Sequence, residues 1–255
     1  MTGSFNTNAA TAPKRMEQHH ILVMSLVKMK ERTGADFVIL APGAVQATPI
    51  SEEIDFRSER TMTDAELIDT IRQAKSLGLR VALKPTVNCA DGTWRGHIHF
   101  FDVDVPCEPK WGNWFASYTA FQLHYAKIAE EEGCELFIAG CEMVMTEIRE
   151  KEWRKLIADI REVFHGPVSY NTDKYQEGHV NWWDAVDVIS SSGYYPADDW
   201  GNQLDRPVPR PEPEPGHPVS LFACREHGAV KVRLLLECQA ATHRPVVRNR
   251  RGTLR

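Results

Sequence analysis

The sequence lacks several patterns by which common classes of protein are recognised. Its 255 residues contain no apolar run long enough to cross a bilayer, and the N-terminal stretch MTGSFNTNAATAPKR has no apolar signal core. The six cysteines show no Cys-x-x-Cys spacing, which gives no support to a zinc ribbon or a redox pair. We therefore expect reduced thiols, a cytoplasmic location and no membrane partner.

The chain as a whole also lacks an excess of basic charge. Its formal net charge is -5 and its pI is about 6.1, so no nucleic-acid partner is expected. No glycine-rich phosphate loop follows a strand-like segment, which argues against a dinucleotide-binding fold. No cofactor is predicted, and the composition does not indicate an oligomeric state.

What is present is a regular alternation of helix-like and strand-like segments over the first 205 residues. The stretch TDAELIDTIRQAKSLG begins with a Thr or Asp cap, carries apolar residues at helical spacing and ends at Gly78. Apolar segments of strand length, such as ADFVILAP and RVALKPTVN, lie between such helices. The alternation predicts a parallel sheet covered by helices, and five of its strands are well marked.

Polar residues at strand ends favour a closed barrel over a doubly wound sheet. Seven of them lie at or just past the C-terminal ends of their predicted strands: Lys84, Asn88, Glu142, Asn171, Asp173, Tyr194 and Tyr195. Such residues on many successive strands are typical of a (β/α)8 barrel, whose site is built from the βα loops. We predict an α/β fold, a TIM-type (β/α)8 barrel that is incomplete or irregular at both ends. Residues 1–14 are poor strand material, the seventh strand is suggested only by PVSLFAC, and no eighth strand is visible.

Charge and aromatic content divide the chain near residue 205. Residues 206–255 hold nine arginines and one lysine against four glutamates, and none of the seven tryptophans or six tyrosines. Their opening, RPVPRPEPEPGHP, excludes a helix or a central strand. We assign residues 15–205 to the barrel domain and residues 206–255 to an atypical tail. Two interpretations of this tail stay open: a disordered extension, or a segment that is read out of frame.

The longest predicted loop, residues 89–111, carries residue types that suit sugars and metals. Asp91, Trp94 and Arg95 combine an acceptor, an aromatic plate and a cation, which is a set suited to a pyranose. An Asp-Gly turn with a tucked tryptophan explains the same residues equally well. The segment HIHFFDVD offers metal-ligand residue types, but it lies in mid-loop without a further histidine at a strand end. No metal site is therefore predicted.

Glu142 is the candidate catalytic residue, because it follows the apolar strand ELFIAGC and is carried to the rim of the predicted barrel. A carboxyl group placed there can act as a general acid. A simpler interpretation is that the charge marks the exit of a strand from the core. Cys141 beside it has no evident base that would activate it as a nucleophile.

Several stretches, taken in order, resemble glycoside hydrolase family 113: LKPTVNCADGTWRG, WFASYTAFQLHYAKIAEE, FIAGCEM, WRKLIADIREVFHGPVSYNTD and WWDAVDVISSSGYYP. The resemblance covers about residues 20–205 and implies a (β/α)8-barrel retaining enzyme of the endo-β-1,4-mannanase type. The implied substrate is a β-1,4-linked, mannan-type polysaccharide or oligosaccharide, and the implied general acid/base is Glu142. The residues implied to line the sugar site are Lys84, Asn88, Asp91, Trp94, Arg95, Asn171, Asp173, Tyr194 and Tyr195.

The sequence departs from the family pattern at the expected nucleophile. Retaining hydrolysis needs a second carboxylate about 5–5.5 Å from the first. The family places it at the end of the seventh strand, where this chain has Cys224. Glu226 stands two residues later, a displacement of about 6.6 Å along a strand, and Thr86 stands where a histidine is expected. Two functions stay open: a mannan-type glycoside hydrolase, which requires a second carboxylate near Glu142, and a catalytically dead carbohydrate-binding barrel.

Overall fold

Helices surround a curled sheet in the structure, a computed structural model that describes residues 11–58, 61–193, 219–226 and 229–239. The surroundings of side chains are described for residues 22–58 and 61–193. The helices are α1 (Thr11–Thr33), α2 (Asp64–Ser76), α3 (Trp111–Glu131) and α4 (Glu150–Arg161). The strands are β1 (Phe37–Ala41), β2 (Gly43–Gln46), β3 (Arg80–Leu83), β4 (Thr86–Cys89), β5 (Leu136–Cys141), β6 (Val168–Asp173), β7 (Val188–Ser192), β8 (Val219–Glu226) and β9 (Ala229–Gln239). None of the helices in these ranges is long and apolar enough to cross a membrane.

The main sheet contains the five parallel strands that the sequence predicts, in the order β1-β3-β5-β6-β7. Helices α2, α3 and α4 connect successive strands, which is the arrangement expected of a (β/α) barrel. The carboxyl ends of the five strands therefore lie at one end of the sheet, which we call the rim. This confirms the predicted fold class and places the predicted strand-end residues on one side of the molecule.

The barrel closes differently from the sequence-based expectation. Residues 219–224 of the predicted seventh strand lie within β8, but β8 pairs antiparallel with β7. The strand that the sequence did not reveal, β9, pairs antiparallel with β8 and parallel with β1, which closes the sheet. Only residues 227–228 separate β8 from β9, and so short a connection permits a hairpin but not a parallel crossover. Two segments of the tail thus form strands, in a topology unlike a βα repeat.

The start of α2 illustrates how the sequence sets the helix ends. Thr63 caps the helix by accepting a hydrogen bond from the Glu66 amide at 3.3 Å, and Glu66 accepts one from the Thr63 amide at 2.8 Å. This reciprocal arrangement satisfies two amide groups that the helix leaves without partners. Leu67 and Ile71 lie on the buried face of α2, and Gly78 follows the helix, as the sequence predicts.

The sheet has an apolar core on each face. The smaller core lies inside the barrel, at the end opposite the rim, and contains Phe37, Ile39, Ala82, Leu136 and Ile138. The larger core lies between the sheet and the helices and is rich in buried aromatic rings. Its largest members are Trp114, Tyr118, Trp153, Tyr170 and Trp182. Since side chains alternate along a strand, β1, β3 and β5 each contribute to both cores.

A β-bulge at the end of β5 changes this alternation. Ile138 pairs with Ser169 and Cys141 pairs with Asn171, so β5 advances three residues where β6 advances two. Gly140 lies in the bulge and faces the aromatic core. A Cβ atom added there would lie 2.8 Å from the Tyr118 hydroxyl and 3.0 Å from Trp153. The absent side chain lets the aromatic layer approach the backbone, and the bulge turns Cys141 into the barrel.

Two short strands extend the sheet at the rim. β2 and β4 follow β1 and β3 beyond Pro42 and Pro85 and pair in parallel as a separate two-stranded sheet. The break coincides with the prolines, which supply no amide hydrogen to a ladder. Through β4 this small sheet positions Asn88 at the rim.

We predict that Gly140→Ala lowers the free energy of unfolding by about 1–3 kcal/mol, the usual cost of overpacking a well-filled core. Gly112→Ala is the control, because a Cβ at that position in α3 meets nothing within 4 Å. The control is expected to be neutral or to stabilise the helix by up to about 1 kcal/mol. Urea denaturation measures both, and equal stabilities of the two variants would contradict the packing assigned to Gly140.

Candidate active site

Glu142, the first residue after β5, adopts an unusual backbone conformation. Its φ angle is +52°, in the left-handed region that residues with a side chain rarely occupy. Its amide donates a hydrogen bond of 2.8 Å to the carbonyl of Asn171 on the neighbouring strand. The chain therefore turns sharply as it leaves the sheet. The Glu142 side chain consequently does not continue the alternation of side chains along β5.

The carboxylate of Glu142 is held by two residues of the long loop. The indole N–H of Trp94 donates to Oε2 of Glu142 at 3.3 Å, and Nη2 of Arg95 lies 3.6 Å from the same oxygen. Nη1 of Arg95 donates to Oδ1 of Asn88 at 2.9 Å. The side chains of Arg95 and Glu142 are 12% and 13% exposed, so the pair is mostly shielded from solvent but still reachable. Residues from β4, the loop and β5 thus converge on one carboxylate.

Trp94 presents an accessible ring beside this carboxylate. The residue is 39% exposed, which differs from the tucked tryptophan of the simpler interpretation. Gly96 lies so close to the ring that an added Cβ atom would meet it at 2.3 Å. His97 packs edge-on against the indole at 5.4 Å between ring centroids. The ring is therefore supported within its own loop while part of its surface stays available.

Asp91 has the local role of a turn residue. Its carboxylate accepts a hydrogen bond of 2.9 Å from the Thr93 amide, and Gly92 follows with a positive φ. Asp91 is exposed, and no contact in the described part of the chain joins it to Glu142 or Arg95. Its predicted contact with a sugar remains a prediction.

A buried polar layer lies inside the barrel at the level of Cys141. Nζ of Lys84 lies 3.4 Å from Sγ of Cys141, and Nδ2 of Asn171 lies 3.7 Å from the same sulfur. Nδ2 of Asn171 also donates to Oγ of Ser192 at 2.8 Å. All four residues are buried, so Lys84 and Asn171 lie beneath the rim, and their predicted contact with a sugar remains a prediction.

Asp173, at the end of β6, is a second carboxylate that interacts with Glu142. Its pKa is raised above the ordinary value, chiefly by partial burial. A hydrogen bond from the Lys174 amide opposes this shift, and the negative charge of Glu142 adds to it. Electrostatic repulsion between the two groups means that they share one region of the rim.

The strand register places Glu226 far from this region. Val188, at the start of β7, pairs with Cys224, while Ser191, near its end, pairs with Leu221. Because β8 runs antiparallel, its last residue lies at the end of the barrel opposite the rim. The backbone topology therefore gives no support to Glu226 as the partner of Glu142, in agreement with its displaced position in the sequence.

Glu147 is a buried carboxylate that the sequence-based reasoning missed. It is 2% exposed, and its Oε1 accepts hydrogen bonds of 2.7 Å from the hydroxyls of Tyr170 and Thr172. Burial raises its pKa to about 7, against the effect of these two hydrogen bonds, and the charges of Asp173 and Glu177 raise it further. Its segment, MTEIREKE, is mostly polar and contains no signal that this glutamate is buried.

The structure thus brings together most of the predicted site and leaves a few residues aside. Among the predicted residues, those at or beneath the rim cluster are Lys84, Asn88, Trp94, Arg95, Glu142, Asn171 and Asp173. Tyr194 and Tyr195 lie outside the described residues.

Of the histidines in the long loop, His97 packs on Trp94 and His99 packs edge-on against Trp111. Within the described ranges, no group of three or more His, Cys, Asp or Glu side chains is placed to hold a metal ion.

Comparison with known proteins identifies one family. The profile of Glycoside Hydrolase Family 113 matches residues 9–214 of the chain. A search of the curated proteins returned no match.

Solved structures of the same family are similar to this chain. One family 113 β-1,4-mannanase has a TM-score of 0.70 and 57% identity, over 74% of this chain and 60% of its own. A complex structure of a family 113 β-1,4-mannanase has a TM-score of 0.69 and 56% identity, over 74% and 60% of the two chains. The β-mannanase from Alicyclobacillus acidocaldarius, solved in complex with ManMIm, has a TM-score of 0.67 and 42% identity, over 70% and 57%. This chain spans about 60% of the length of these relatives.

We predict a pH-dependent contribution of Glu147 to stability. Its folded-state pKa of about 7 lies above the ordinary value of 4.5. The carboxyl group therefore favours the folded state fully below about pH 4.5, and this contribution is lost as the pH rises through about 7. The stability of the unmodified chain relative to Glu147→Gln should fall by on the order of 3 kcal/mol between about pH 4 and pH 8.

Urea denaturation of both proteins over this pH range measures the difference directly. Other titrating groups, including Asp173, are present in both proteins and largely cancel. A difference in stability that stays constant with pH would contradict the assignment.

Proposed function

The chain belongs to glycoside hydrolase family 113, and from this premise we propose that its rim is a β-1,4-mannanase site with Glu142 as the general acid/base. The observation that carries the proposal is the carboxylate of Glu142, held at the rim between the Trp94 indole and the Arg95 guanidinium. A glycosidase acid must be accessible to the glycosidic oxygen and fixed in orientation. Both conditions are met by a largely buried carboxylate that follows a barrel strand.

The two contacts of Glu142 assign different roles to its oxygens. Trp94 and Arg95 both contact Oε2, and no hydrogen bond from the described residues is made to Oε1. In our proposal, Oε2 is the anchor and Oε1 transfers the proton. As the leaving oxygen departs, Oε1 gives it a proton, and in the second step the same oxygen takes a proton from the attacking water.

The rim offers the contacts that a mannan chain needs. The accessible indole of Trp94 supplies a flat apolar face for a pyranose ring. Asn88, Arg95 and Asp173 supply donors and acceptors for hydroxyl groups, as the predicted site requires. We assign Lys84 and Asn171 to the buried layer beneath the rim, where they orient Cys141 and the strand ends.

A retaining mechanism further requires a carboxylate that attacks the anomeric carbon. In the family, this nucleophile follows the seventh strand. In this chain, Cys224 and Glu226 lie on a strand that runs toward the opposite end of the barrel. This observation favours a second candidate function for the chain as written, a barrel that binds mannan without turning it over.

Binding and turnover separate the two candidates. We predict that the chain binds mannohexaose, and that Trp94→Ala weakens this binding by about tenfold through loss of ring contact. Isothermal titration calorimetry measures both affinities, with cellohexaose as the ligand control for the mannose configuration at C2. Absence of mannohexaose binding by the unmodified chain would refute both candidates.

We predict that the unmodified chain shows little or no release of reducing ends from β-1,4-mannan. Replacing the tail by a family-like segment whose seventh strand ends in Glu should produce turnover, and Glu142→Gln in that protein should lower it by about 10²–10⁴-fold. Robust turnover by the unmodified chain, abolished by Glu142→Gln, would mean that it already contains the second carboxylate.

A further inference from the structure

A buried chain of hydrogen bonds connects Glu147 to the backbone immediately after Glu142. Oε1 of Glu147 accepts a 2.7 Å hydrogen bond from the Tyr170 hydroxyl. The oxygen of that hydroxyl in turn accepts a hydrogen bond of 3.1 Å from the amide of Met143. Glu147, Tyr170 and Met143 are each at most 2% exposed, so water does not compete for these contacts.

These contacts fix the second side of the turn at Glu142. On the first side, the Glu142 amide donates to the Asn171 carbonyl at 2.8 Å. On the second side, the Met143 amide is held by Tyr170. A left-handed conformation at a residue with a side chain is intrinsically unfavourable and persists only where its surroundings impose it. The two anchored amides, one on each side of the Cα atom, provide that constraint.

Glu147 is itself rigidly placed, which an anchor requires. Its carbonyl accepts a 3.0 Å hydrogen bond from the Trp182 indole, and its amide donates to the Val144 carbonyl at 3.2 Å. The Thr172 hydroxyl donates to the same Oε1 as Tyr170, at 2.7 Å. The carboxylate thus accepts from two hydroxyls of β6, on the face that points toward the helices.

The Glu147 carboxylate determines in which direction the Tyr170 hydroxyl donates its hydrogen bond. A tyrosine hydroxyl has one proton and can accept with its oxygen at the same time. With an acceptor at Glu147, the proton of Tyr170 points away from Met143 and leaves the oxygen lone pairs for the amide. Without that acceptor, the hydroxyl is free to rotate and the contact with Met143 is weakened.

We propose that Glu147 is a positioning residue for Glu142: through the Tyr170 hydroxyl it fixes the Met143 amide, and thereby the turn that directs the Glu142 carboxylate to Trp94 and Arg95. The catalytic meaning of this arrangement rests on the proposed function. The positioning itself is a property of the folded chain and is measurable without a substrate.

The charge of Glu147 modulates this contact near neutral pH. The titratable groups that act on it are Tyr170 on β6, Asp173 at the end of β6, and Glu177 in the following turn. On its own segment, Arg149 is paired with Glu152. With a pKa of about 7, Glu147 becomes a charged and therefore stronger acceptor as the pH rises. The geometry at Glu142 should respond over the same range.

The indole N–H of Trp94 reports on that geometry, because it donates to Glu142. The protein labelled with ¹⁵N-tryptophan gives indole resonances from its seven tryptophans, and the resonance lost in Trp94→Phe identifies Trp94. We expect Tyr170→Phe and Glu147→Met to displace the Trp94 resonance. Glu147→Gln keeps an acceptor oxygen and should leave its position near that of the unmodified chain at low pH, but remove its titration step near pH 7.

Tyr125→Phe is the matched control. It removes the hydroxyl of a buried tyrosine of α3 that packs against Phe56 and Phe121 and whose hydroxyl has no hydrogen-bond partner among the described residues. Its Trp94 resonance and titration should equal those of the unmodified chain. If Tyr170→Phe behaves like Tyr125→Phe, the proposal is overturned.

A second variant covers the case in which Tyr170→Phe fails to fold. Thr172→Val removes one of the two hydroxyls on Glu147 and should shift the Trp94 resonance, or its titration midpoint, in a folded protein. An unchanged resonance and midpoint in Thr172→Val would equally overturn the proposal. The remaining indole resonances show whether each variant is folded.

Kinetics separate this proposal from the proposed function. In the tail-replaced protein, Tyr170→Phe should lower kcat by about tenfold or more with KM changed by less than about twofold, since misplacement of the acid affects the transition state. A displaced Trp94 resonance without any mannan binding would refute the mannanase function but leave the positioning role supported. Mannan turnover that is the same in Tyr170→Phe and Tyr125→Phe would refute the positioning role alone.

Discussion

The candidate site depends on how closely the aromatic layer approaches β5 at Gly140. Tyr118, Trp153 and Tyr170 occupy the space that a side chain at this position would need. Their packing fixes the bulge, the bulge turns Cys141 into the barrel, and the next residue leaves the sheet in a left-handed turn. The contacts of Glu142 with Trp94 and Arg95 follow from that turn. A packing constraint on the outer face of the sheet thus determines chemistry at its rim.

The same layer also supplies the polar groups that support the turn. Tyr170 packs by its ring against Trp153 and Trp182, at 4.9 Å and 4.8 Å between centroids, and uses its hydroxyl to join Glu147 to Met143. These contacts fix the orientation of the Tyr170 ring in the apolar core, and with it the position of the Tyr170 hydroxyl. Apolar burial provides the rigidity, and two hydrogen bonds convert it into precise placement of a backbone amide.

Much of the site was predictable because it follows from topology. The carboxyl ends of parallel strands share one rim, so Asn88, Glu142 and Asp173 had to lie near one another once the alternation of strands and helices was recognised. Trp94 and Arg95 were predictable as residue types in a long loop. Their joint contact with one oxygen of Glu142 was not, because a loop path is set by packing that no local pattern encodes.

The features that escaped prediction have a common cause. Glu147 stands in a polar stretch, and its burial depends on Tyr170 and Thr172, which follow it by more than twenty residues. The direction of β8 was likewise hidden, since a strand has the same apolar pattern whichever way it runs. The local pattern of apolar and polar residues indicates the face of an element on which a residue lies, but it does not indicate which residues contact it in the folded chain.

The left-handed backbone at Glu142 has a consequence for how such a chain changes once it is freed from selection for activity. Glycine, and to a lesser degree asparagine or aspartate, occupies this conformation at lower cost than glutamate. Neutral substitutions of Glu142 would therefore favour glycine, asparagine or aspartate, and such a substitution would stabilise the fold. Valine, isoleucine and threonine are disfavoured at this position, because β-branched residues rarely adopt a positive φ angle. A glutamate at this position is therefore a conformational cost that the fold carries.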